Sequence, residues 1–272
     1  LKGGFTELPG NVSSQFISSL LLISPLADKG VTFKLTTPLV SKPYVYMTLD
    51  CMEKFGVKAS WTDDRFEIAR QAYQATTYEV EGDWSSASYF LAMGAVSGGV
   101  EIENLNPNSL QGDKVMLDFL SEMGAPVAVN GNKVTVGKAK KLNAIRVDLA
   151  DCTDLLPTMA VLAAVADGVS EFSGINGARI KESNRVTAVR EGLEAMGIKV
   201  VEERDKLWVT GSKLQGAMID AKGDHRIAMA FSVLGVVAGG TVINEAECIT
   251  KTFPQFWDIL KSMGGRLKIN GQ

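Results

Sequence analysis

The sequence predicts an α/β (α+β) protein assembled from repeated α-β-α-β-β units of about 70 residues. Three observations predict it. First, four apolar helix-like segments each end in a small residue plus glycine and run into a β-rich stretch: "SSQFISSLLLISPLADKGVTFKL", "SSASYFLAMGAVSGGVEIENL", "TDLLPTMAVLAAVADGVSEFSGI" and "DHRIAMAFSVLGVVAGGTVINEA". Their closing glycines, Gly30, Gly99, Gly168 and Gly240, are 69, 69 and 72 residues apart. Second, each is followed by another helix with its own closing glycine, at Gly56, Gly124, Gly197 and Gly264, spaced 68, 73 and 67. Third, β-rich segments with turn signals follow, such as "VNGNKVTVG" and "EERDKLWVTG"; an Asn-Gly pair between alternating residues signals a hairpin.

Within a unit each element has a reason. The first helix is apolar and small nearly all round, so it is expected to be buried on all sides. The second is amphipathic: Phe253, Phe256, Trp257, Leu260 and Met263 recur at helical spacing on one face. A glycine past the last turn supplies the left-handed C-cap. The stretch "TTYEVEG", Thr76 to Gly82, lacks a helical pattern and is the expected domain boundary.

At 272 residues, with 46% hydrophobic and 22% charged residues, the chain is an ordinary globular polypeptide of one or two domains. No apolar run has the length of a membrane span. A net charge of −3 and the absence of any long basic run argue against a nucleic-acid partner. Cys51, Cys152 and Cys248 have no metal-like spacing and are expected as free buried thiols; with one histidine, a zinc site is not expected.

Polar residues collect at equivalent places in the repeat. The first helices start at Ser13-Ser14-Gln15, Asp83-Trp84-Ser85-Ser86, Thr153-Asp154 and Asp224-His225-Arg226. The second start at Ser41-Lys42-Pro43-Tyr44, Asn108-Ser109, Lys181-Glu182-Ser183-Asn184-Arg185 and Lys251-Thr252. Helix capping accounts for Asp83, Ser85, Asn108 and Ser109. It does not account for Lys42, Lys181, Arg185, Arg226 and Lys251, since cations at a helix N-terminus oppose the macrodipole. A bound anion would compensate them, and free N–H groups at helix starts already suit phosphate or carboxylate. The residues thus imply a small polyanion, bound where several helix starts converge. Asp154, at the start of a buried helix, and Glu182, flanked by cations, stand in different environments; such differences divide acid from base roles.

The motifs "GNVSSQF", "LVSKPY", "EGDWSSASYF", "NSLQGDKVM", "RIKESNR", "GDHRIAMAFS" and "KTFPQFW" together resemble the 5-enolpyruvylshikimate-3-phosphate synthase (3-phosphoshikimate 1-carboxyvinyltransferase) family, over nearly the whole chain. The resemblance implies the enolpyruvyl transferase fold, with four units here against the family's six. Residues 1–78 would be the last part of an N-terminal domain, and 79–272 a C-terminal domain lacking one N-terminal strand. It implies transfer of the enolpyruvyl group of phosphoenolpyruvate to the 5-hydroxyl of shikimate 3-phosphate by addition and elimination, with phosphate released. The family needs no metal or organic cofactor.

By the same resemblance Ser13, Ser14 and Ser41 would donate to the phosphate of shikimate 3-phosphate. Gln15 would lie between the substrates and Tyr44 near the shikimate ring. Asp154 would accept the 5-hydroxyl proton, and Lys181 would contact shikimate 3-phosphate. Glu182 would protonate the methylene of phosphoenolpyruvate. Arg185 and Arg226 would bind its carboxylate and phosphate, with Lys251 beside the phosphate. His225 would donate toward the ligand or a neighbouring acid, with Asp224 as cap and orienter. The family's usual Asn two residues before the Arg of its Arg-x-Lys-Glu motif is Gly177 here, with Asn176 one earlier. The resemblance further implies a cytoplasmic protein if bacterial or archaeal (a plastid protein otherwise), and a monomer at full length. This stretch by itself is expected to be inactive, or to associate with a separate N-terminal segment. Two other readings are a transferase acting on UDP-N-acetylglucosamine, which "GDHRIAMA" and "KPYVYMTL" argue against, and a non-catalytic binding or scaffold fragment.

Overall fold

The structure is a computed structural model that describes residues 1–269. By its contacts the chain divides into two compact units. One contains Leu1–Glu81 and Asn108–Gly112, the other Gly82–Pro107 and the rest of the chain from Asp113.

The first unit runs β1 (Gly4–Leu8), α1 (Ser14–Ile23), β2 (Val31–Leu35), α2 (Lys42–Lys54), β3 (Ser60–Thr62) and β4 (Arg65–Ile68). Its sheet has the order β1-β2-β4-β3. β1 and β2 are parallel, with Leu8 opposite Leu35, while β4 is antiparallel to both its neighbours. A helix must therefore cross between β1 and β2, and α1 does so. The core is Ile17, Leu21, Phe33, Val45, Met52 and Phe66, with the Phe33 and Phe66 rings stacked at 4.7 Å.

The second unit repeats this plan. It begins α3 (Trp84–Val96), β5 (Val100–Ile102), α4 (Met116–Glu122), β6 (Val127–Asn130) and β7 (Lys133–Val136). Next come β8 (Arg146–Asp148), α5 (Leu156–Ala164), β9 (Val169–Ser173), α6 (Arg185–Ala195), β10 (Lys199–Glu202) and β11 (Lys206–Thr210). The last elements are β12 (Met218–Asp220), α7 (His225–Ala238), β13 (Val242–Asn244) and α8 (Phe256–Ser262). Among the described residues the sheets are β10-β11-β9-β8, β5-β7-β6 and the pair β12-β13. β8 and β9 are parallel, as are β12 and β13.

The α-β-α-β-β order is present in the first three units, whereas the fourth shows α7, β13 and α8 with no closing pair of strands among the described residues. A strand not read from the sequence precedes three of the first helices. β1, β8 and β12 are three to five residues long, with few buried positions, so no alternating pattern betrays them. The first helices of the second unit are buried as expected: α3, α5 and α7 share one apolar core that includes Trp84, Met159 and Phe231. α1 departs from the expectation, with Phe16 57%, Leu22 44% and Ile23 47% exposed. Glycines that close second helices adopt left-handed backbone, as at Gly56 (φ 81°) and Gly197 (φ 84°). The "VNGNKV" hairpin forms with Gly131 and Asn132 as its two loop residues. The last amphipathic helix begins at Phe256, not Phe253, whose ring packs edge-on against Phe256 from the preceding turn. Of the three free cysteines, Cys152 is buried while Cys51 and Cys248 are half-buried.

Candidate functional site

Parallel pairing explains why the repeat positions come together. α1 follows β1 and α2 follows β2; because these strands are parallel neighbours, both helices start at the same end of the sheet. There the Gly10 N–H donates to Thr37 Oγ1 at 2.9 Å and the Val40 N–H to the Gly10 carbonyl at 3.1 Å, tying the two loops together. Ser13 caps α1, accepting from the Gln15 N–H at 3.2 Å. Ser14 is buried and Gln15 exposed. Ser41 precedes α2 in left-handed backbone (φ 52°), buried, with no capping bond from its side chain. That conformation is unusual for a residue with a Cβ and marks a constrained helix start. Lys42 is exposed and Tyr44 half-buried within α2. The first unit thus gathers Ser13, Ser14, Ser41 and Tyr44 at the carboxyl end of two parallel strands.

The second unit does the same twice. Asp154 follows β8, and Lys181, Glu182 and Arg185 follow β9. Asp224, His225 and Arg226 follow β12, and Lys251 follows β13. At their centre is Arg185, 1% exposed. It donates from Nε to Asp224 Oδ2 at 2.8 Å, from Nη1 to Asp154 Oδ1 at 2.8 Å, and from Nη2 to Glu182 Oε2. Around it, Arg226 Nη2 lies 2.9 Å and Lys181 Nζ 3.6 Å from Asp154. Lys251 Nζ donates to Glu182 Oε1 at 2.6 Å. A buried charge persists only when paired, and here each carboxylate is paired.

The environments of the acids differ. Burial alone would raise the Glu182 carboxyl, but the hydrogen bond from Lys251 and the nearby Arg185 outweigh it and hold it down at about 2. His225 is pushed below the ordinary histidine value, by burial first and then by Arg226, so it is neutral at pH 7. Its buried Nδ1 has no hydrogen-bond partner and lies 4.0 Å from Asp224 Oδ1. Asp224 and His225 thus share no hydrogen bond. Asp224 instead caps α7 through the Arg226 N–H at 2.9 Å and holds Arg185 and the Ser183 hydroxyl. Asn176 is exposed, and its N–H donates to Asp205 at 2.7 Å.

Sequence reasoning missed two residues of this cluster. Tyr89, 1% exposed, accepts from Arg226 Nη1 at 3.4 Å, and burial lifts its hydroxyl to about 12. Asp113, 2% exposed, accepts from the Ser85 hydroxyl, so Ser85 is a partner of Asp113 and not a cap. Burial raises the Asp113 carboxyl to about 6 against the pull of Arg226, and its Oδ1 is unpartnered. The available signal was spacing: Ser85 and Tyr89, four apart, lie on one face of α3.

The class that fold and site define is a repeat-built α/β protein with charged clusters at the helix starts that follow parallel strands. The family model described as EPSP synthase (3-phosphoshikimate 1-carboxyvinyltransferase) matches residues 1–260. A protein named 3-phosphoshikimate 1-carboxyvinyltransferase from Dehalococcoides mccartyi is 52% identical over 263 residues, which are 96% of this chain and 62% of that one. One of the same name from Methanocaldococcus jannaschii is 40% identical over 271 residues, covering 98% and 63%. An EPSP synthase structure from Acinetobacter baumannii superposes with a TM-score of 0.80 at 24% identity, over 96% of this chain and 62% of that one. The chain belongs to the EPSP synthase family. It spans somewhat under two thirds of the length of these relatives.

Proposed function

We propose that this chain takes part in transfer of the enolpyruvyl group from phosphoenolpyruvate to the 5-hydroxyl of shikimate 3-phosphate, with release of phosphate. One observation carries the reading: the charged residues of the family motifs gather past the carboxyl ends of parallel strands, where helix starts favour anions. The name shared by the relatives supports it. Ser13, Ser14, Ser41 and Lys181 hold shikimate 3-phosphate, with Tyr44 against its ring and Gln15 toward the second substrate. Asp154 takes the 5-hydroxyl proton. Arg226 and Lys251 grip phosphoenolpyruvate, Arg226 by its fork. Arg185 joins that grip only by releasing a carboxylate, since three now engage it. Glu182 delivers a proton to the methylene carbon, and His225, neutral and with a free ring nitrogen, serves the same side of the reaction. We place the boundary between an N-terminal and a C-terminal domain between residues 78 and 79, and read the protein as cytoplasmic and, at full length, monomeric.

Two measurements test this. Shikimate 3-phosphate with phosphoenolpyruvate should raise the thermal unfolding temperature, because a ligand of the native state stabilises it, and UDP-N-acetylglucosamine should not; the reverse pattern favours the sister transferase. In a polypeptide of full family length, Glu182→Gln should lower the rate of phosphate release about 10²–10⁴-fold, the usual worth of a general acid, while phosphoenolpyruvate still binds. A rate within about threefold of the parent assigns the proton to another group.

A further inference from the structure

Resting on that reading, one feature of the second unit goes beyond it. Four cationic side chains, Lys181, Arg185, Arg226 and Lys251, face three carboxylates, Asp154, Glu182 and Asp224, an excess of one positive charge. His225, from α7, is neutral at pH 7. A dianion entering this cluster reverses its charge. The pairings also differ in how readily they exchange. Arg185 is 1% exposed and fixed by three carboxylates, whereas the Lys251 side chain is 55% exposed and held by Glu182 Oε1 alone among the described ion pairs. Lys251 is therefore the cation an arriving anion draws away first.

We propose that the cluster binds its dianion together with a proton, Glu182 taking up that proton as the anion takes Lys251 from it. Two effects act in the same direction. Loss of the Lys251 hydrogen bond removes the main support of the ionised carboxylate, and the anion adds a like charge beside it. Burial already favours the neutral form. The groups facing Glu182 are Arg185 at the start of α6, Lys251 from the turn before α8, and His225 on α7, with Arg226 and Asp224 beyond. Of these, Arg185 alone stays in direct contact with Glu182 to oppose protonation once Lys251 is engaged. Carboxylate and anion thus compete for one lysine, and the losing carboxylate becomes an acid when the substrate is in place.

The test follows the Glu182 carboxyl by ¹³C NMR of protein labelled at glutamate carboxyls, with Glu182→Gln assigning the signal. Inorganic sulfate is the probe, because it remains a dianion and exchanges no proton over the range used. Between about pH 7 and about pH 4, where an unperturbed glutamate begins to titrate, the Glu182 signal should stay flat without sulfate and show a titration step at saturating sulfate. Lys251→Met should raise the midpoint without sulfate and leave sulfate little further effect. Sulfate that binds, by calorimetry, while the Glu182 signal stays flat overturns the inference and leaves the functional reading standing. Proton uptake that persists in Glu182→Gln also overturns it, by assigning the proton to another group such as Asp113. Failure of sulfate and of phosphoenolpyruvate to bind at any pH removes the anion site itself, and with it both readings.

Discussion

Asp113 shows how much a single buried carboxylate shapes the behaviour of the second unit. Burial raises its carboxyl from 3.8 to about 6 in the folded chain. The folded state therefore holds a proton that the unfolded state has already lost between those values. Stability should fall as pH rises across that window and level off above it. A two-unit difference corresponds to roughly 3 kcal/mol at most. Asp113→Asn keeps the shape and should abolish that slope in urea unfolding curves taken at a series of pH values. An unchanged slope would place the titration elsewhere. Residues of this kind are the least legible in the sequence. Asp113 stands in "QGDKV" and resembles a helix-start acid; only its burial and the Ser85 hydroxyl distinguish it. Lys181, Arg226 and Lys251 are the opposite case, since positive charge repeated where the macrodipole opposes it is visible without coordinates.

Among the elements, the helices were legible and the leading strands were not. Apolar runs as long as "LLPTMAVLAAVA" leave no doubt about a buried helix, and α5 is buried throughout. β12, by contrast, has one buried residue, Ile219, between exposed neighbours, and its pairing with β13 is a long-range fact. Contacts between helices set further limits. Gly192 lies on α6 where a Cβ would run into the Phe231 ring of α7. Gly192→Ala gains helix propensity, worth up to about 1 kcal/mol. The clash in a packed core costs about 1–3 kcal/mol, so the variant should be the less stable by chemical denaturation. Equal or greater stability would mean that Phe231 yields freely. Asp83 supplies the contrast: it accepts from the Ser85 and Ser86 N–H groups at the exposed start of α3. There Asp83→Ala should cost about 1 kcal/mol through the cap alone.

Across the whole molecule the two units are unequal. The smaller has one sheet under α1 and α2, and part of its apolar surface stays in water: Phe5, Phe16 and Leu26 are 62%, 57% and 60% exposed. The larger buries α3, α5 and α7 in one continuous core. Native-state hydrogen exchange should therefore be faster in α1 and β1 than in α5 and α7, because opening free energy follows buried contact. Equal protection would show that the small core suffices. The period of the repeat was readable because small residues and glycine recur at matching places. The unequal burial of its first helices was not, because "FISSLLLISPLA" is as apolar as its counterparts, and what covers a helix is settled by neighbours far along the chain.

The Arg185 guanidinium carries one more consequence. Its three carboxylates come from the turn after β8, from the segment after β9 and from the cap of α7 after β12. These arrive at the arginine only when three crossovers of the second unit have docked. A partly folded chain, in which one crossover is loose, leaves a buried cation short of a counterion and simultaneously lacks an assembled charge cluster. Competence to bind and completion of folding are thus one cooperative event in this unit. Substitutions that loosen the packing of α5, α6 or α7 should silence the site before the rest of the chain melts, and site occupancy becomes a readout of whether folding has finished.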